Sequence, residues 1–346
     1  MVGGFKLTKW LKESGPESDI VISSRIRIAR NLSGFPFPHM LKEDNGKDIA
    51  NRVYNAVIEG NESLGKDFKL VEMHSIDKVD RLNYVEKHII SPALAKNTAT
   101  GSLLINQDES IAILINEEDH IRIQCLLPGF QLDNSWNLAD KIDDLVEEKV
   151  KYSFHEELGY LTSCPTNLGT GIRASLMMHL PALNMTGYIN SILQASSQIG
   201  IAVRGIYGEG TEFLGNIFQV SNQVTLGITE EEIIKNLKNV GIQIIQKERY
   251  IRESLLKDKK VELEDKAYRS YGILKNARKI TSTEAMKLIS HVKLGVVLGL
   301  IKDSSLEKLN QLMEMIQVGF LQKYYKSQLS EYDRDVKRAE IIRMNI

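Results

Sequence analysis

Arg25 and Arg27 stand two residues apart in SSRIRIARN, interleaved with Ile26 and Ile28. On a strand, residues two apart share a face, so both guanidinium groups would project from one side above an apolar layer. Arg122 falls in the alternating run HIRIQC, Arg173 closes CPTNLGTGIR, and Arg204 opens RGIYGEGTE. A guanidinium is permanently charged and offers forked donors matched to phosphate oxygens, so arginines brought together could grip a triphosphate. Each could equally pair with one of the 45 acidic residues.

Carboxylates lie beside two of these arginines. Glu117-Glu118-Asp119 directly precedes Arg122, and Glu209 and Glu212 follow Arg204 in a glycine-flanked loop. Such pairs serve as metal ligands, as a base with its orienting partner, or as solvated turn residues, and spacing leaves all three open. Cys164 precedes Pro165 near Arg173, where positive charge would lower a thiol pKa. A plain buried cysteine fits the same pattern. The stretch CPTNLGTGIR lacks the third glycine of a dinucleotide fingerprint and the Gly-Lys-Ser/Thr of a Walker loop. There is no H-x-x-x-H or C-x-x-C pair to suggest zinc.

Strand-like runs position these residues. IAILINEEDHIRIQCLL (111–127) reads as an antiparallel hairpin with an acidic tip, its second arm apolar at Ile121, Ile123 and Cys125 and polar between them. NIFQVSNQVTL (216–226) reads as a further strand and turn. After Gly227 the texture becomes helical. Thr229 with Glu232 forms a capping-box signature before a long helix through about residue 257. Thr281 with Glu284 repeats it, and Leu306, Leu309, Met313, Ile316 and Phe320 keep helical spacing through one further helix. The charged tail SEYDRDVKRAEIIRMNI is predicted to be helical. The boundary falls in KDKKVELEDK, giving an α+β domain over 1–255 and a helical one over 256–346.

Composition bounds the rest. A chain of 346 residues suits two domains. Hydrophobic and charged contents of 42% and 26% are those of a soluble globular protein. A net charge of −1 gives no bulk attraction to nucleic acid or membrane. Two cysteines are too few for a disulfide framework. The start MVGGFKLTKWLKESG has no apolar signal core, and the longest apolar run, LGVVLGLI (294–301), reads as buried helix. A cytoplasmic location is the expectation.

Taken together, SSRIRIARNLSGFPFP (23–38), NEEDHIRI (116–123), SCPTNLGTGIRAS (163–175) and RGIYGEGTEFLGNIFQVSN (204–222) resemble the phosphagen kinases, the family of arginine and creatine kinases. They run in the family order. The resemblance implies an α+β fold, an antiparallel-sheet catalytic core flanked by helices and here followed by an all-helical C-terminal domain. It implies ATP-binding segments at Ser24, Arg25, Ile26, Arg27 and Ile28, at Arg122, at Arg173, Ala174, Ser175, Leu176 and Met177, and at Arg204, Gly205, Ile206, Tyr207 and Gly208. Their arginines would hold the phosphates, and His88 in VEKHIIS would sit beside the adenine. Glu118 would orient the acceptor guanidinium and take its proton, with Glu209 as the second carboxylate and Cys164 beside the guanidinium. Mg²⁺ would be held by nucleotide and water, with no protein ligand. These residue types suit the reaction, because a guanidinium is a poor nucleophile until a base removes a proton.

Departures from the family pattern narrow it. No counterpart of the family's separate N-terminal helical domain precedes Ser24, Met177 stands where arginine kinases carry a histidine, and a helical domain follows the core. That layout is similar to the bacterial protein-arginine kinases. Arg334, Asp335, Arg338 and Ala339 match the R-D-x-x-R-A motif of that group, which binds phosphoarginine allosterically. On a helix, Arg334 and Arg338 share a face and could clamp a phosphate, with Asp335 available to the ligand guanidinium. What the resemblance implies is phosphorylation of protein arginine residues, marking proteins for a Clp-type unfoldase and protease in stress responses, with a zinc-finger activator protein and self-association. The other readings are a kinase for free arginine or another small guanidino compound, and a phosphoarginine-binding adaptor without catalysis. Intact Glu118, Glu209 and phosphate-site arginines argue against the adaptor.

Overall fold

A computed structural model describes residues 7–60, 67–205 and 214–346. The strands are β1 (Val21–Arg30), β2 (Phe68–Glu72), β3 (Ser102–Asn106), β4 (Ile111–Ile115), β5 (Ile121–Pro128), β6 (Phe154–His155), β7 (Gly159–Tyr160), β8 (Ile172–His179), β9 (Ile201–Gly205) and β10 (Ile217–Asn222). Apart from the small β6–β7 hairpin, they form an eight-stranded sheet in the order β2-β3-β4-β5-β1-β8-β10-β9. Every neighbouring pair in it is antiparallel. The hairpin expected at 111–127 is β4–β5.

Register assigns the two faces. Ile26 lies opposite Cys125 and Ala174, and Ile28 opposite Ile123 and Ile172. All are buried in one apolar core. Helices α1 (Lys9–Lys12), α2 (Glu43–Gly60), α3 (Lys78–Glu86), α4 (Pro92–Lys96), α5 (Leu132–Glu147), α6 (Pro181–Met185), α7 (Ile189–Gln198) and α8 (Glu230–Asp258) surround the sheet. From α2, α5 and α8, Val53, Ile142 and Leu237 join that core at 0% exposure. Full burial of each such side chain contributes about 1.5–3 kcal/mol.

The C-terminal helices are α9 (Lys260–Asn276), α10 (Ser282–Val297), α11 (Leu306–Met315), α12 (Val318–Tyr325) and α13 (Glu331–Asn345). Thr229 starts α8 with both halves of a capping box, and Thr281 accepts from Glu284 N at 3.2 Å to start α10. A break at Lys259 (φ −137°, ψ 41°) separates α8 from α9. These helices build a second core, not on themselves alone but against Trp10 and Leu11 of α1 and the sheet residues Ile22, Leu126 and Met177. They therefore cover one end of the sheet's polar face.

Two expectations for this region change. The single helix read across 306–320 is two helices, α11 and α12, separated at Ile316–Gln317. Arg338 Nε takes the Ile316 carbonyl at 2.8 Å, and Glu86 accepts from the N–H groups of Gly319 and Phe320, so tertiary partners replace intrahelical ones across the break. LGVVLGLI is helical only to Val297, after which Gly299 turns the chain at φ +70°. Among the described residues no helix is long and apolar enough to cross a membrane.

Candidate active site

Directly paired residues share a face, so register also assembles the polar side of the sheet. Arg27 on β1 lies between Gln124 on β5 and Arg173 on β8, while Arg25 lies opposite Ser175. Arg122 is opposite Ala29, and Arg204 is opposite Gln219 on β10. Arg25 Nη2 donates to Gln219 Oε1 at 2.8 Å and its Nε to Ser175 Oγ at 3.4 Å. The Nε atoms of Arg27 and Arg173 are buried without a hydrogen-bond partner. Burial, and then the like charges of Arg25, Arg122 and Arg173, press the Arg27 guanidinium well below its usual pKa, with Glu117 opposing. Arg173 is lowered by burial and by Arg204, while a Cys164 thiolate would raise it.

Concentrating like charge with unfilled donors costs stability unless an anion occupies the space. Tripolyphosphate is therefore expected to raise the melting temperature, with the gain shrinking as salt rises. At a hundredfold excess over Kd the stabilisation is about 2.7 kcal/mol. A melting curve unmoved by millimolar tripolyphosphate at low salt would contradict this account of the face.

The acidic turn joins β4 to β5, and its neighbouring carboxylates have separate tasks. Glu117 is 4% exposed in its side chain, pairs with Arg122 Nη1 at 2.5 Å and accepts from Ser91 Oγ. Glu118 is 42% exposed and accepts from Arg122 Nη2 at 2.9 Å, leaving it open to an incoming group. Asp119 is fully buried; its Oδ1 accepts from Asn31 Nδ2 and Ser163 N, both at 2.7 Å. It thereby holds the loop that carries Cys164, which is half-buried with Sγ 3.0 Å from Thr166 Oγ1. In that loop Gly169 (φ +103°) and Gly171 (φ +66°) have backbone conformations and close contacts that a Cβ could not share.

A cavity of about 380 Å³ opens beside Arg25, Arg27 and Arg122. It is also lined by the apolar residues Val85, Ile90, Pro92 and Leu114, with His88, Glu86 and Gln317 among its polar groups. His88 takes a left-handed backbone (φ +58°), and Gln124 Nε2 donates to its carbonyl at 2.8 Å. Burial, and secondarily Arg25, pushes the imidazole down to about 3, so it stays neutral at physiological pH.

Not every side chain of the expected nucleotide segments faces the arginine side. Ser24, Ile26, Ile28, Ala174 and Leu176 alternate with the arginines and are buried on the opposite side of the sheet. Their side chains pack the core; Ser24 Oγ donates to Gly129 O at 2.8 Å and accepts from Gln131 N at 2.8 Å. Met177 is on the arginine side but 7% exposed within the second core, where the C-terminal helices cover it. Gly205 ends β9. Ile206, Tyr207, Gly208, Glu209 and Glu212 lie outside the described residues.

On α13, Arg334 and Arg338 do not form a jointly exposed clamp. Arg338 is buried, donating from Nε to Ile316 O at 2.8 Å and from Nη1 to Ile280 O at 2.9 Å and Asp335 Oδ1 at 2.5 Å. Asp335 is thus engaged by its own helix, and Ala339 is buried in the second core. Arg334 is half-buried, with Nη1 3.4 Å from Leu329 O.

Sequence reasoning missed the positioning roles of Glu117, Asp119 and Gln124 and the place of Gln317 in the cavity wall. Alternation in HIRIQC does put Gln124 on the arginine side, but nothing local says that its amide reaches His88. Gln317 carries no motif at all.

The comparisons agree with this geometry. Residues 48–251 match the family model of the ATP:guanido phosphotransferase C-terminal catalytic domain, and residues 260–346 that of the protein-arginine kinase McsB C-terminal domain. The protein-arginine kinase of Caldanaerobacter subterraneus subsp. tengcongensis is 52% identical over 326 residues, covering 94% of this chain and 96% of its own length. That of Bacillus subtilis is 49% identical over 338 residues, covering 97% and 93%. Among solved structures, lombricine kinase superposes with a TM-score of 0.62 at 21% identity over 70% of each chain. The duplicated taurocyamine kinase from Schistosoma mansoni with bound transition state analog components gives 0.63 at 22% identity, over 82% of this chain and 40% of its own. At these identities the structural likeness shows the phosphagen-kinase fold.

Proposed function

Because the chain belongs to the protein-arginine kinase family of ATP:guanido phosphotransferases, we propose that this phosphotransferase moves the ATP γ-phosphoryl group to arginine side chains of proteins. The observation that carries the reading is the arginine face, on which the buried Nε donors of Arg27 and Arg173 lack partners. These forked donors fit a polyphosphate. The nearby carboxylates Glu117 and Glu118 are both paired with Arg122. A divalent cation fits this face as one carried in by the nucleotide. Bound Mg²⁺ would neutralise charge on the transferring group.

In the step itself, Glu118 accepts a proton from the acceptor guanidinium as a nitrogen forms the N–P bond and the γ-phosphorus bond to the ADP oxygen breaks. Arg122 holds Glu118 while also facing the phosphate region, which ties the base to the nucleotide. Glu209 is proposed as the second carboxylate that keeps the guanidinium in plane. The exposure of Glu118 lets a residue on a polypeptide reach it. Labelled ATP offered with casein or with free arginine tests the reading, with phosphoarginine detected by mass spectrometry under non-acidic conditions. Label appearing on free arginine alone would refute it.

We also propose Arg334 as the side chain that meets phosphoarginine on α13, with Arg338 and Asp335 holding the helix beneath it. Arg334→Ala is expected to lower phosphoarginine binding at least about tenfold, since a hydrogen bond to a charged group contributes about 1.5–3 kcal/mol. ATP affinity should stay unchanged in the same titration. Marking of substrates for a Clp-type protease in stress responses, with a zinc-finger activator, is a proposal supported by the family likeness. It predicts that a purified Clp unfoldase and protease degrade the phosphorylated substrate faster than the unmodified one.

A further inference from the structure

The nucleotide cavity is not made by the sheet and its neighbouring loops alone. Gln317, at the break between α11 and α12, forms part of its wall beside residues from β1, β5 and the segment around α3 and α4. Its Nε2 donates to Met313 O at 2.8 Å, and the amide also carries an oxygen able to accept a hydrogen bond. The apolar side chains Val85, Ile90, Pro92 and Leu114 line the same space, as a planar base requires.

What keeps Gln317 there is also visible. Glu86, at the end of α3, accepts from Gly319 N at 2.8 Å through each carboxylate oxygen and from Phe320 N at 3.2 Å. Lys323, on the next turn of α12, pairs with Asp80 of α3 at 2.6 Å. On the other side of the break Arg338 holds the Ile316 carbonyl. The peptide carrying Gln317 is therefore pinned from both directions. Burial pushes the Glu86 carboxyl up to about 7, with the N–H groups of Gly319, Phe320 and Val318 pulling it down and Glu314 pushing it up. A carboxyl partly protonated near neutrality repels a bound nucleotide less than a full anion would.

We propose that Gln317 is a nucleobase-specificity residue, supplied to the nucleotide site by the C-terminal helices and positioned there by Glu86. The inference rests on the arginine face being the polyphosphate site. With one amide contact at the base end, Gln317→Ala is expected to weaken ATP binding about three- to tenfold, from the net contribution of about 0.5–1.5 kcal/mol for such a hydrogen bond. The ratio of ATP to GTP affinity should fall with it, while tripolyphosphate, which has no base, binds as to the wild type.

Calorimetric titration of the full chain with ATP, GTP and tripolyphosphate separates the outcomes. Unchanged ATP affinity and an unchanged ATP-to-GTP ratio in Gln317→Ala would overturn the assignment. So would an equal loss of tripolyphosphate, which would mean that the substitution disturbs the arginine face. If the wild type binds neither ATP nor tripolyphosphate, the polyphosphate reading fails and this one with it. Glu86→Ala should reproduce the ATP-selective loss, and Glu86→Gln, which keeps an acceptor for Gly319 N, should restore it. Failure of the glutamine to restore it would remove Glu86 from the account.

Discussion

Glu118→Gln is expected to lower kcat for arginine phosphorylation by about 10²- to 10⁴-fold, the range that a positioned general base supplies. The amide keeps the shape of the carboxylate and can still accept from Arg122 Nη2, now 2.9 Å away. It cannot take a proton from the guanidinium. ATP affinity should stay within about twofold, since Glu118 is itself exposed and Arg122 keeps its buried pair with Glu117. The informative control is Glu117→Gln, one residue earlier. Glu117 is buried against Arg122 Nη1 and Ser91 rather than open to the acceptor. Its loss should therefore appear as weaker ATP binding and a raised KM for ATP, with kcat much less affected. Single-turnover kinetics with saturating ATP tell the two apart. Equal losses in both variants would mean that neither carboxylate acts as the base.

Arg27→Met should make the protein more stable and the enzyme worse. Arg27 is pressed by burial and by Arg25, Arg122 and Arg173, and its Nε has no partner. Replacing such a charge with an apolar chain of similar length is often neutral or stabilising, by about 1–4 kcal/mol. The same substitution removes forked donors to phosphate, each charged hydrogen bond contributing about 1.5–3 kcal/mol. ATP binding should weaken by about a hundredfold or more, and the ligand-induced rise in melting temperature should largely disappear. Thermal melts with and without ATP measure both halves. A destabilised apo protein would show that Arg27 has a structural partner that the arginine cluster conceals.

The residues proposed to do chemistry were more legible than those that hold them. Arg25 and Arg27 announce their shared face by spacing alone, and the alternation through Arg122 and Gln124 predicts the strand they occupy. Period-two patterning is a local property, so it survives in the sequence. The same patterning explains why the side chains of Ser24, Ile26, Ile28, Ala174 and Leu176, inside the signature segments, face the core, because neighbours on a strand point oppositely. Glu117 and Asp119 look alike in sequence and differ only in what reaches them, Arg122 and Ser91 for one, Asn31 and Ser163 for the other. Those partners are distant along the chain. The break at Ile316–Gln317 was invisible for the same reason: apolar spacing runs through it, and only Glu86 and Arg338 explain it.

The second apolar core carries a consequence for how this protein can be divided. Ile22, Leu126 and Met177 belong to strands of the sheet, yet their packing partners are Trp10 and the helices after Lys259. A fragment ending near residue 255 would retain every arginine of the phosphate face. It would also present that apolar surface to water and lack Gln317 in the wall of the proposed nucleotide cavity. The C-terminal helices are thus not an accessory that could be exchanged between enzymes as a cassette. Grafting them onto another core, or exchanging them for other helices, would require rewriting the sheet's own residues at the seam.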